Sequence, residues 1–178
     1  MTRRIWNLTN PWLLALAVIA AIGILADRPA RAETRTVGAV TYNWKTFGKN
    51  DEIVVTVVND PKVDGVLCYW SAARIGGIKG AIGIADDPPE ASLACRQVGP
   101  IAFKAKFDRE ENIAKTSQNW TGFKTMQVVR MCDPVANVLT YVVYTDELIK
   151  GFPKNSLSVV PVFSMDGKAP PQCKDWMK

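Results

Sequence analysis

Apolar positions along this chain recur at every second residue, in short runs rich in β-branched and aromatic side chains. That is the period of half-buried strands. Val37–Tyr42 predicts one strand. Glu52–Asn59, reading EIVVTVVN, is the clearest: Ile53, Val55 and Val57 point one way, and Val54, Thr56 and Val58 the other. Both faces are apolar, so this strand is expected to be central and covered on both sides. Asn59-Asp60-Pro61 ends it with turn chemistry. Val66–Ser71 puts Val66, Cys68 and Trp70 on one face; Ser92–Val98 does the same with Leu93, Cys95 and Gln97. Thr125–Met131 and Val138–Thr145 form a pair around a turn at 133–137. Leu157–Phe163 supplies a last strand, with Pro161 at an edge or end because proline has no N–H for a ladder.

Helical signals are weaker. Phe107–Ser117 is polar and reads as a short helix or a loop, and Asp146–Gly151 as one helical turn stopped by Gly151. Lys168–Lys178 is Pro-rich and polar and reads as a tail. The fold class is therefore mainly β, an antiparallel sandwich or partly open barrel with one or two short helices. An α+β arrangement, with a small helix on one face, is the runner-up.

The first residues follow another rule. Arg3 and Arg4 precede an apolar run of 15 residues from Trp12 to Ala26, and Ala30-Arg31-Ala32 follows it. That is the layout of a secretory signal peptide, with cleavage expected before Glu33. The run falls short of the roughly 20 residues that span a bilayer. Residues 1–32 are thus expected to be a cleaved signal, and 33–178 a single exported domain with its Pro-rich tail from about 168. No stable membrane insertion is expected after cleavage.

Removing that segment changes the charge argument. The whole chain carries a formal charge of +5; Arg3, Arg4, Arg28 and Arg31 leave with Asp27, so the remainder carries +2. A domain built for nucleic acid needs a clustered basic excess, so no nucleic-acid partner is expected.

Four cysteines remain: Cys68, Cys95, Cys132 and Cys173. An oxidising compartment makes disulfides the default. Three pairings are open, and spacing does not choose among them; the pairs backed here are Cys68–Cys95 and Cys132–Cys173. The chain has no histidine and no C-x-x-C spacing, so no metal site and no cofactor are expected. Lack of histidine also removes Ser–His–Asp and Cys–His catalysis. A histidine-free hydrolase would have to use Ser71 with Lys79, or carboxylates such as Asp86, Asp87 and Glu90. Neither set has a spacing that supports catalysis, so no catalytic residue is assigned.

The least ordinary stretch is RIGGIKGAIGIADDPP, Arg74–Pro89. Gly76, Gly77 and Gly80 around Lys79 offer backbone N–H groups and a cation that together suit an anion. The plainer reading is a tight loop packed against a Cys68–Cys95 bridge. The segment is neither a Walker A loop nor a dinucleotide fingerprint. Arg96 and Arg130 lie inside strands. Such charges normally face solvent; turned inward they must be paired, and become site candidates. The candidate ligand-binding residues are thus Gly76, Gly77, Lys79, Gly80, Arg96 and Arg130.

The strings VLCYWSAARIGGIKG, CRQVGP and FPKNSLSVVPV, in that order and spacing, resemble the CreA family of bacterial periplasmic proteins (catabolite regulation protein A) from about Val37 to Val162. The resemblance implies an exported protein and supports the Cys68–Cys95 bridge. Cys132 and Cys173 look like additions to the family pattern, and Pro88-Pro89 departs from its usual Ser/Thr-rich turn. No mechanism comes with the likeness. The functional expectation is a periplasmic binding or interaction module that is not an enzyme, linked by family name to the carbon-catabolite response. Its partner would be an envelope protein; a carrier for a small anion or sugar is the alternative.

Overall fold

The computed structural model describes residues 32–77, 91–117, 124–147 and 153–178. Eight strands follow in order: β1 (Thr34–Asn43), β2 (Asp51–Asn59), β3 (Val63–Arg74), β4 (Ala91–Phe103), β5 (Glu110–Ser117), β6 (Lys124–Asp133), β7 (Val138–Glu147) and β8 (Asn155–Pro161). A single 3-10 turn, Cys173–Trp176, follows them. The strands form two antiparallel sheets, each a meander in chain order: β1-β2-β3-β4 and β5-β6-β7-β8. Neither sheet closes on itself, so the fold is mainly β and open.

Alternation along the strands builds the core. Val66, Cys68 and Trp70 of β3 are buried on one face, beside Leu93 and Cys95 of β4. From the second sheet come Met126, Val128, Leu139, Tyr141 and Val143. Cys68 and Cys95 stand directly opposite each other across the β3–β4 ladder, and the structure bonds them at 2.04 Å. Cys132 is bonded to Cys173 at 2.02 Å, which ties the C-terminal turn to β6.

The sheets meet along β4 and β8 through side chains in place of a backbone ladder. The N–H of Leu93 donates to Ser156 Oγ at 3.2 Å, and that of Cys95 to Ser158 Oγ at 2.8 Å. Gln97 acts as a surrogate strand residue. Its Nε2 donates to the Phe163 carbonyl at 2.9 Å, and its Oε1 accepts from the Phe163 N–H at 3.3 Å. Two strand edges thus satisfy one another, as buried backbone groups must be satisfied.

Three expectations need correction. Residues 110–117 are strand β5, not helix or loop: Ile113 and Ala114 are buried and supply the core side of a polar strand. Asp146 and Glu147 continue β7, not a helical turn; residues 148–152 lie outside the described set. The outer face of β2 is only half covered: Val57 is buried but Ile53 is 41% exposed. Gly76 and Gly77, at the start of the Gly-rich loop, pack against the β1–β2 connection; the rest of that loop, 78–90, lies outside the described residues. The Gly77 N–H donates to Lys49 O at 2.7 Å, and a Cβ on Gly76 would meet that oxygen at 1.9 Å.

Candidate functional site

Arg130 was expected to be paired if it faced inward, and it does face inward. It is fully buried on β6. Its Nη1 donates to Asp60 and its Nη2 to Glu111 of β5. Asp60 sits in the β2–β3 turn, so the pair joins the two sheets. The same carboxylate accepts from the Lys62 N–H at 2.9 Å and from the Tyr141 hydroxyl at 3.1 Å. Lys62 Nζ reaches Glu111. The Phe107 ring covers the guanidinium, 4.2 Å from Cζ to its centroid.

Two cations thus face two carboxylates, and the formal charge of the cluster cancels. Burial, and then the Asp60 carboxylate, push the Tyr141 phenol well above its ordinary value, so it stays a donor. Arg130 Nε alone lacks a partner among the described residues. The cluster can lock the β2–β3 turn onto β5, β6 and β7; its charges are already spent within the chain.

The other candidates lie apart from it. Arg96 is exposed on β4 and donates to its neighbour's carbonyl, Cys95 O, at 2.9 Å. Gly76 N–H donates to Asp51 Oδ1 at 2.8 Å. Asp51 also accepts from Asn43 at 2.7 Å and pairs with Lys45 at 2.9 Å. The Lys45 hydrogen bond holds the Asp51 carboxyl below the usual carboxylate range. Lys79 and Gly80, with Asp86, Asp87 and Glu90, lie outside the described residues. Among the described residues no cluster of three or more acidic or cysteine side chains is placed to hold a metal.

One open concavity among the described residues lies elsewhere. A groove of about 350 Å³ runs between the end of β4, the segment after β8 and the C-terminal turn. Ile101, Phe103 and Trp176 line it, with Phe163, Met165 and Pro170. Phe103 and Trp176 stack at 5.8 Å between centroids with 26° between planes. Phe163 stays 65% exposed and Met165 56%. Asp166 stands at the rim, its carboxyl lowered chiefly by the Lys168 backbone N–H.

The wall is firmly tied. Cys173 N–H donates to Asn137 Oδ1 at 2.9 Å, and Asn137 Nδ2 to Pro171 O at 3.1 Å. Asn137 takes a left-handed φ of 52° in the β6–β7 turn, a conformation asparagine tolerates. Phe107 exchanges two backbone bonds with the C-terminus, accepting at O from Lys178 and donating to Trp176 O, both at 2.9 Å.

The sequence reading missed this groove because residues 168–178 carry no strand or helix period. The available signal was Trp176 three residues after Cys173. A large aromatic beside a disulfide is an anchored side chain.

The profile of the CreA protein family matches residues 37–165. The chain belongs to the CreA family. Protein CreA of Escherichia coli strain K12 is 38% identical over 134 residues, which is 74% of this chain and 85% of that protein. Protein CreA of Escherichia coli O157:H7 aligns with the same figures. No solved structure matches the chain. The family match stops at residue 165, before Cys173 and Trp176, so half of the groove wall lies beyond it. Among the described residues no helix is long and apolar enough to cross a membrane.

Proposed function

We propose that this CreA-family chain is exported to the periplasm and works there as a non-enzymatic interaction module. Its groove beside Trp176 receives an apolar segment of an envelope protein. The observation that carries the reading is the groove itself: a concave, mostly apolar surface with a stacked aromatic floor and exposed Phe163 and Met165 at its rim. Such surfaces are the usual binding sites of proteins that recognise partners through buried anchors. Export is supported by the two disulfides and by the charged, apolar and A-x-A layout of residues 1–32.

The carrier alternative has less support. An anion cradle at Gly76 and Gly77 needs free N–H groups, and both donate within the chain. Arg130 is neutralised and enclosed.

The test is site-specific photocrosslinking in the producing cell, with the photoreactive residue at Phe163 or Met165 and, as control, at Val135, which is almost wholly exposed on the β6–β7 turn. A discrete adduct from the groove positions, absent at Val135 and lost on Trp176→Ala, is the expected result. Equal or no crosslinking at all three positions overturns the reading. The intact mass of the same preparation tests export, which predicts a chain starting at Glu33 with four thiol hydrogens missing.

A further inference from the structure

Two open meanders have four sheet edges among the described strands, and an unpaired edge invites another strand. Three of the four are managed. β4 and β8 cover one another through Ser156, Ser158 and Gln97. β5 shows exposed Glu110 and Lys115, the charged side chains that discourage strand addition. Among the described residues nothing pairs with the fourth edge, the outer side of β1. Nothing charged and no proline lies between Thr36 and Trp44, and of the ten strand residues all but Thr41 are exposed.

The apolar surface around this edge is large. Val37, Val40 and Tyr42 are more than half exposed, and beyond the strand Trp44 and Phe47 are exposed at 79% and 76%. Val40 pairs with Ile53 across the ladder, so the apolar row continues onto the outer face of β2. Irregularities at Val37 and Tyr42 twist β1 against β2 without hiding its outer edge.

We propose that β1 is the interface of a two-fold dimer, pairing antiparallel with β1 of a second copy to make one eight-stranded sheet. The two-fold geometry favours a second copy over an unrelated strand. A two-fold axis through the strand centre sets the Glu33 end of one β1 against the Lys45–Lys49 end of the other. The same operation brings Arg35 toward the partner's Tyr42 and Trp44, a cation facing aromatic rings. Finally, a ladder of ten residues per strand supplies about ten hydrogen bonds, the number found in a standard stable interface. Ring and valine side chains from both copies add the apolar centre such interfaces require.

Native mass spectrometry and sedimentation velocity of the purified chain, over roughly 1 to 100 μM, test it. The expected result is a dimer whose dissociation constant rises about a hundred-fold or more in the Val37→Lys/Val40→Lys variant, since like charges then face each other across the axis. The melting temperature of the variant monomer should match that of the wild-type monomer, because both positions are exposed. A monomer throughout the range overturns the proposal, even if it pairs with an added strand-forming peptide. A dimer unaffected by the double substitution also overturns it. Should the variant fail to fold, hydrogen exchange of the wild type decides. Protection of residues 34–43 that grows with protein concentration supports the β1 interface, and protection independent of concentration overturns it.

Discussion

The Arg130 cluster and the Trp176 groove stand at two ends of one aromatic row. Trp176 stacks on Phe103, Phe103 lies 5.7 Å from Phe107, and Phe107 covers Arg130. The cluster has the residue types that suggest chemistry, yet every charge in it is paired and its Arg130 and Asp60 are shut off from solvent. The groove has few charges and is open. A buried ion pair tolerates little change because each charge is desolvated and depends on its partner. An open apolar groove leaves favourable transfer energy unrealised until something fills it. Accessibility, more than residue type, separates a site from a structural lock here.

The strongest way to break this comparison is at Asp60. Asp60→Ala leaves Arg130 buried with only the half-buried Glu111 opposite, and Tyr141 without its acceptor. Breaking a buried pair costs about 3–5 kcal/mol, and denaturant unfolding should show a loss of that size. If the loss is under about 1 kcal/mol, the cluster is not the lock between the sheets.

The disulfides come next. Chain-entropy estimates give about 3.5 kcal/mol for the 27-residue separation of Cys68 and Cys95 and about 4 kcal/mol for the 41-residue separation of Cys132 and Cys173. The two losses should look different. Cys68→Ala/Cys95→Ala lowers global stability, because both positions lie in neighbouring core strands. Cys132→Ala/Cys173→Ala should also free the C-terminal turn, seen as faster hydrogen exchange at residues 173–178 and loss of groove crosslinking. A Cys132/Cys173 variant that keeps its groove adduct would show that the Asn137 bonds alone hold the wall.

A smaller effect is expected at Trp176. Trp176→Ala should abolish the groove adduct while costing less stability than the Asp60 change, since the indole is only partly buried. Thermal melts compared with crosslinking yield check this; parallel loss of both would return Trp176 to a purely structural role.

The weakest effect is pH-dependent. Asp51 and Asp166 have carboxyl values lowered below 3.8 in the folded chain, by Lys45 and by the Lys168 N–H respectively. Between the folded and unfolded values the unfolded chain binds more protons, so their contribution is complete above about 3.8 and is lost as pH falls through the lowered values. Stability measured from pH 5 downward should decline in that window, and the decline should shrink in Asp51→Asn.

Much of the fold was legible because the strands with clear alternation are those whose alternate residues enter the core: β3 with Cys68 and Trp70, β4 with Leu93 and Cys95. β5 escaped because only Ile113 and Ala114 are apolar in a run of Glu, Asn, Lys and Thr, and two residues do not define a period. Arg130 was legible as a conditional: inward means paired. Its partners were not, since Asp60 and Glu111 lie 70 and 19 residues away.

By itself the sequence determined seven of the eight strands, the faces of β3 and β4, the turn at 133–137 and the family, since each depends on neighbours in the chain or on strings that can be read in order. Only the tertiary structure decided how Gln97 stands in for a strand residue, which edge is left open and where the groove lies. Those features are set by residues that meet across sheets, and local periodicity carries no information about which distant surfaces come together.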